Sequence, residues 1–220
     1  MRQQIRIDVL RDARIDLKFL LNRGYNKPSA LKLVGDRYQL NRAERSILFR
    51  SVFPDREAEL IKSKQVDVSM LRGRRILIDG FNVLNTVEAI LRGDMLILCD
   101  DGVLRDFAEI HSKYRFSELT RKALEKILEF LKDNDVSEAE ILYESQISRS
   151  GEIASLTRRM IANYNLVGTA RTLKTVDSFL ARSDEIIATS DSIILLRCRS
   201  FIDIPMNLDI IERAEIIRLD

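Results

Sequence analysis

The sequence predicts an α/β protein, with a mostly parallel sheet covered by helices on both faces and a small all-α domain in front of it. Three observations carry that expectation. Short apolar runs alternate with helical stretches from residue 74 onward, several of those runs break directly into aspartate, and the first 62 residues read as helices. The expected division is a basic helical domain over 1–62, a linker over 63–73 and the α/β domain over 74–220.

In the helical part, Val9, Leu10, Ala13, Leu17, Leu20 and Leu21 recur at helical spacing, and Gly24 is placed to end that helix. Pro28 suits the first turn of a second, shorter helix that Gly35 would close. Asn41 followed by Glu44 three residues later has the form of a capping box for a third helix ending before Pro54. Residues 55–73 are polar and read as a connecting helix or linker. The α/β part opens with a strand at Ile76–Ile78 that runs into Asp79-Gly80, then a helix. A strand follows at Met95–Cys99, meeting Asp100-Asp101-Gly102. Ser117–Leu131 is an amphipathic helix opened by Ser117. Next come a strand near Ile141–Tyr143, the loop ISRSGE and a helix to about Asn163. A strand near Ala170–Leu173, a short helix over Asp177–Ala181 and a strand at Glu185–Ala188 lead into Thr189-Ser190-Asp191. Strands near Phe201–Ile204 and Glu215–Leu219 end the chain.

Composition narrows the chemistry. The chain has 220 residues, 45% hydrophobic and 32% charged, enough for a folded core. No run of about 18 apolar residues is present, and the start MRQQIRIDVLRDARID lacks a secretory apolar segment, so a cytoplasmic protein without a membrane partner is expected. Cys99 and Cys198 lack CxxC spacing and read as buried thiols. The single histidine, His111, leaves most zinc sites and any mechanism needing a second histidine without donors. Chemistry here must rest on carboxylates. There is no GxxxxGK[ST] and no GxGxxG, so neither a P-loop nor a dinucleotide cofactor is expected.

The net charge of +2 hides an asymmetry. Residues 1–75 hold 18 Lys+Arg against 9 Asp+Glu, whereas residues 76–220 hold 18 against 25. A basic module joined to an acidic one suggests a polyanion held by the first and cations by the second, although two solvated surfaces would look alike. Arg37, Arg42, Arg45 and Arg50 load the helical part and are its candidate nucleic-acid contacts.

In an open parallel sheet the usable crevice lies beyond the carboxyl ends of the strands. Asp79, the pair Asp100 and Asp101, and Asp191 each follow a predicted strand. One such aspartate is an ordinary helix cap, but several carboxylates gathered together repel unless a cation or shared proton compensates. Hard oxygen donors of this kind suit Mg²⁺ or Mn²⁺, which can activate water and stabilise charge on a phosphate. Ser148 and Ser150, before the helix that follows ISRSGE, are placed either to bind an oxyanion or simply to cap that helix.

The string ILIDGFNVL resembles the first motif of PIN-like nucleases of the NYN branch, and KTVDSFLARSDEIIATSD resembles that branch's later motif. The chain as a whole, through LLNRGYNKPSALKLVGDRYQL, LCDDGVLRD, ISRSGEIA and ATSD, resembles an uncharacterised prokaryotic family joining a helical domain to a PIN-like domain. The resemblance implies a PIN-like (Rossmann-like) sheet with Asp79, Asp177 and Asp191 as metal ligands. Asp100 or Asp101 would complete or orient the catalytic set. Asn82, Ser190, Arg105 and Asp106 would support it, with Arg105 pairing with Asp101 or gripping a phosphate. NYN nucleases commonly carry a further acid at the end of a middle strand, where this chain has Glu144-Ser145.

The expected function is a Mg²⁺- or Mn²⁺-dependent nuclease acting on RNA, with the helical domain helping to hold the strand. The alternatives are a non-catalytic binder of RNA or ribonucleoprotein on the same fold, and a site for a phosphorylated small molecule at Ser148, Ser150 and Arg105. A homodimer is compatible with all three.

Overall fold

The structure is a computed structural model describing residues 5–106 and 117–220; His111 lies outside the described residues. In chain order the elements are α1 (Ile7–Asn22), α2 (Lys27–Arg37), α3 (Arg42–Ser51), α4 (Asp55–Lys62), β1 (Arg75–Asp79), α5 (Gly80–Arg92), β2 (Met95–Leu98), β3 (Leu104–Asp106), α6 (Glu118–Asp133), β4 (Glu138–Glu144), α7 (Ser150–Asn163), β5 (Gly168–Leu173), α8 (Val176–Leu180), β6 (Ile186–Ala188), α9 (Ser192–Leu195), β7 (Ser200–Ile202) and β8 (Glu215–Ile217). They form two compact units. The larger holds Lys64–Asp94 and Ala108–Ala214; the smaller holds Met1–Ser63, Met95–Phe107 and Glu215–Asp220.

The larger unit is built on a five-stranded sheet in the order β5-β4-β1-β6-β7. Every neighbouring pair is parallel, with Ile78 of β1 opposite Ile141 of β4 and Ala188 of β6. Ile76, Leu77 and Ile78 are buried in succession, as are Ala139 to Tyr143, which is the signature of strands covered on both faces. The chain steps outward from β1 through β4 to β5, then returns to the other side of β1 for β6 and β7. The connection direction therefore reverses between β1 and β6, and at such a reversal a crevice opens beyond the carboxyl ends of the strands.

Two local devices fix β1 relative to its neighbours. Gly80 starts α5 directly after β1, and a Cβ there would run into the Tyr143 ring and lie 2.7 Å from the Leu142 carbonyl oxygen. Only glycine lets the helix begin so close to β4. Phe81 then packs edge-on to Tyr143, ring centroids 5.0 Å apart, and the Tyr143 hydroxyl is hydrogen-bonded to Thr157 of α7. On the far end of α5, Glu88 accepts a hydrogen bond from Thr120 at 2.7 Å, the residue that also closes the capping box opened by Ser117 on α6.

The smaller unit departs from the all-α expectation. Its helices are joined by a three-stranded sheet, β3-β2-β8, in which β2 pairs antiparallel with β3 and parallel with β8. Leu10, Leu17, Val34, Ile47 and Leu48 share one apolar cluster with Ile97, Cys99, Ile217 and Leu219. The reason is the tripeptide Asp100-Asp101-Gly102. The Gly102 N–H donates to the Cys99 carbonyl at 2.9 Å, and Gly102 sits at φ 79. An Asp-Gly pair in this conformation turns the chain back as a hairpin, so β2 and β3 do not join the larger parallel sheet. In this unit 95–106 and 215–220 pack with the N-terminal helices, and α4 is the connecting helix that the sequence offers within 55–73.

Gly35 is also corrected. It lies inside α2 rather than ending it, and the Arg45 guanidinium packs where its Cβ would be. The α3 capping box does form: Asn41 accepts from the Glu44 N–H at 3.0 Å, and Glu44 accepts from the Asn41 N–H at 2.9 Å. Glu44, fully buried, further accepts from the Arg6 side chain at 2.7 Å. Cys99 and Cys198 are free and buried. Among the described residues no helix is long and apolar enough to cross a membrane.

Candidate functional site

The crevice between β1 and β6 collects the predicted carboxylates of the larger unit. Asp79, the last residue of β1, is 4% exposed, and its Oδ2 accepts a hydrogen bond from Thr189 Oγ1 at 2.8 Å. The same Thr189 oxygen accepts the Asp191 N–H at 3.1 Å, so one hydroxyl ties the end of β1 to the turn after β6. Asp191 caps α9: its Oδ1 accepts from the N–H groups of Ile193 at 2.7 Å and Ile194 at 3.3 Å. Asn82, in the first turn of α5, accepts from both the N–H and the hydroxyl of Ser190, at 2.7 and 2.9 Å. Two side-chain clasps, Thr189 to Asp79 and Asn82 to Ser190, therefore hold the β1–α5 and β6–α9 junctions together.

The electrostatics bring in two more acids. Burial, then the Glu144 and Asp191 charges, push the Asp79 carboxyl up to about 8, against the lowering hydrogen bond from Thr189. Burial and the charges of Asp177 and Asp191 raise Glu144, at the end of β4. Asp177, in the first turn of α8, is raised by burial and by Asp191. Four carboxylates from four different segments thus repel one another in one crevice. Glu144 was the least legible of them in the sequence. Its only signal was its place at the end of a middle strand.

The remaining predicted residues fall elsewhere. Asp100 and Asp101 belong to the smaller unit, where basic side chains take up their charge. Asp100 pairs with Arg14 at 2.9 Å and Lys18 at 3.3 Å, and Asp101 pairs with Arg105 in a two-pronged contact at 2.8 and 2.6 Å. Asp101 and Arg105 are both buried and pair with each other, the first of the two arrangements that the sequence offers for Arg105. Asp106 pairs with Arg50 at 3.5 Å. Ser150 is buried at the start of α7, where its N–H donates to the Ile147 carbonyl at 3.2 Å, and Ser148 is exposed just before it. Of the candidate nucleic-acid arginines, Arg45 is engaged with Asp36 at 2.9 Å and the Leu40 carbonyl at 3.0 Å, while Arg37 lies 3.5 Å from Asp16. Arg42 sits at the start of α3.

Comparison with known proteins divides the chain at nearly the place its charge does. Residues 9–64 match a family described as a protein of unknown function (DUF434), and residues 68–207 match a domain of unknown function (DUF5616). The chain belongs to the DUF5616 family. It is also 37% identical over 183 residues to an uncharacterized protein of Methanocaldococcus jannaschii, covering 83% of this chain and 87% of that one. No solved structure matches.

For this DUF5616 chain the fit of a divalent cation is testable on donor chemistry. All four acids offer hard oxygen, and their mutual repulsion is the condition a cation relieves. Among the described residues no group of three His, Cys, Asp or Glu side chains is close enough to hold one metal ion between them. Mg²⁺ needs no such cage, because it keeps several waters and binds through one or two carboxylates plus substrate phosphate. The donor set therefore fits a hydrated Mg²⁺ or Mn²⁺ held by few direct contacts, and does not fit a closed structural metal.

Proposed function

We propose that the chain is a Mg²⁺- or Mn²⁺-dependent nuclease of the PIN-like, NYN type that hydrolyses phosphodiester bonds in RNA. The observation that supports it most is the meeting of Asp79, Glu144, Asp177 and Asp191 at the switch point of a parallel sheet, with Asp79 held up to about 8. Asp79 and Asp191 would hold the cation, and Asp177 would act through water. A bound cation supplies Lewis-acid stabilisation of phosphate charge and a more acidic water. Glu144, raised above the ordinary carboxylate range, is suited to take a proton from the attacking water. Asn82, Ser190 and Thr189 keep the two junctions in register, so the carboxylates stay fixed as charge develops.

The test is cleavage of labelled single-stranded and structured RNA with Mn²⁺ by the purified chain and its Asp79→Asn and Asp191→Asn variants. Each substitution is expected to lower the rate by about 100-fold or more. Cleavage indifferent to both, or none on any substrate, contradicts the proposal.

A second reading, an RNA or ribonucleoprotein binder without turnover, is favoured by the lack of a ready-made three-residue metal cluster among the described residues. It expects RNA affinity that falls steeply with salt, without metal-dependent cleavage.

A further inference from the structure

In the smaller unit, the corner where α1 turns into α2 carries large side chains that the core does not use. Helix α1 buries Leu10, Ala13, Leu17 and Leu21 on one stripe, and Phe19 lies off that stripe, 53% exposed. The Arg23 guanidinium stacks over the Phe19 ring, 3.8 Å from its centroid. Tyr25, in the turn between the helices, is 56% exposed. Lys27, at the start of α2, places its Nζ 4.0 Å from the Phe53 ring centroid and 5.2 Å from that of Phe49, whose ring is itself 47% exposed. Cations and aromatic faces thus alternate over one short stretch: Phe19, Arg23, Tyr25, Lys27, Phe49.

We propose that this corner is a stacking platform for single-stranded RNA, in which bases lie on Tyr25, Phe49 and the outer face of the Phe19–Arg23 stack while Arg23 meets the phosphates. The choice of RNA rests on the function proposed above. Aromatic and guanidinium planes accept bases only when those bases are unpaired, which selects a single strand over a duplex. Charge complementarity selects a polyanion, since residues 17–35, which run through this corner, hold four basic side chains and no acidic one. Asp55 pairs with Lys18 at 2.9 Å and accepts a hydrogen bond from Asn22 at 2.7 Å, and the charges of Glu57 and Asp101 act on Lys27 against that of Arg105.

Fluorescence anisotropy of a labelled single-stranded oligouridylate with the full chain in EDTA, where cleavage is blocked, tests the platform. Phe19→Ala and Tyr25→Ala are each expected to weaken binding about tenfold. Arg23→Ala should weaken it and reduce the salt slope by about one, and Phe19→Trp should restore it. Both aromatic residues are exposed, and a circular dichroism melt confirms that each variant is folded. Unchanged affinity in the Phe19→Ala, Tyr25→Ala double variant overturns the platform, as does equal affinity for a duplex of the same sequence. Preferential capture by anionic vesicles overturns it too. The two proposals fail separately: Asp79→Asn keeps full binding here if the platform stands, and the platform variants still cleave short RNA with Mn²⁺ if only the nuclease stands.

Discussion

At the scale of single residues, two acids sit in opposite electrical situations and make opposite forecasts. Asp79 is buried among other acids, so its folded pKa of about 8 lies above the unfolded value near 3.8. Between those values the folded chain binds more protons than the unfolded one, and stability falls as pH rises through that window. Asp79→Asn removes the burden. The variant should be more stable than the parent at pH 8, by on the order of 5 kcal/mol, and hardly more stable at pH 4. Urea titrations at the two pH values check this, and equal stabilities at pH 8 would show that Asp79 ionises without cost. Glu44 is the reverse case: the Arg6 side chain holds its carboxyl down to about 2 from 4.5. Its stabilisation is complete above 4.5 and disappears as pH falls toward 2. Glu44→Gln should cost about 2 kcal/mol at pH 7, discounted because Arg6 is half-exposed, and almost nothing near pH 2.

At the scale of elements, the junction of β1 and α5 decides whether the crevice forms. Gly80→Ala places a methyl group against the buried Tyr143 ring and the Leu142 backbone, and neither can retreat without moving β4. Overpacking of this kind costs roughly 1–3 kcal/mol and displaces the neighbouring Asp79. A melting temperature lowered together with cleavage is expected, and an unchanged melting temperature would mean that the helix start is not confined by Tyr143. This junction was readable in the sequence, because an apolar run breaking into Asp-Gly before a helix is a local pattern. Asp191 is legible as an acid following a strand, whereas Asp177 is singled out only by the resemblance of KTVDSFLARSDEIIATSD to the later NYN motif. A strand ending in aspartate looks alike in both settings, so the sequence alone places the strand at Met95 in the same sheet. The Asp101-Gly102 hairpin signal that separates them was present but outweighed by the run of acids. The aromatic platform was hidden for a different reason: periodicity shows which apolar residues share a stripe, and Phe19 had to be noticed by its absence from that stripe.

At the scale of the whole molecule, charge and fold divide the labour differently from chain position. The smaller unit draws its sheet from 95–106 and 215–217, and there the acids Asp100, Asp101 and Asp106 are matched by Arg14, Lys18, Arg105 and Arg50. In the larger unit Asp79, Glu144, Asp177 and Asp191 repel one another instead. Matched acids stabilise a fold; gathered acids cost stability, and in the proposed function they are the ones that do the chemistry. The most direct check of that claim is a crystal of the chain soaked in Mn²⁺ and measured for anomalous scattering. The account predicts a peak at direct coordination distance, about 2.2 Å, from a carboxylate oxygen of Asp79 or Asp191. A crevice without a peak at saturating Mn²⁺ would contradict it.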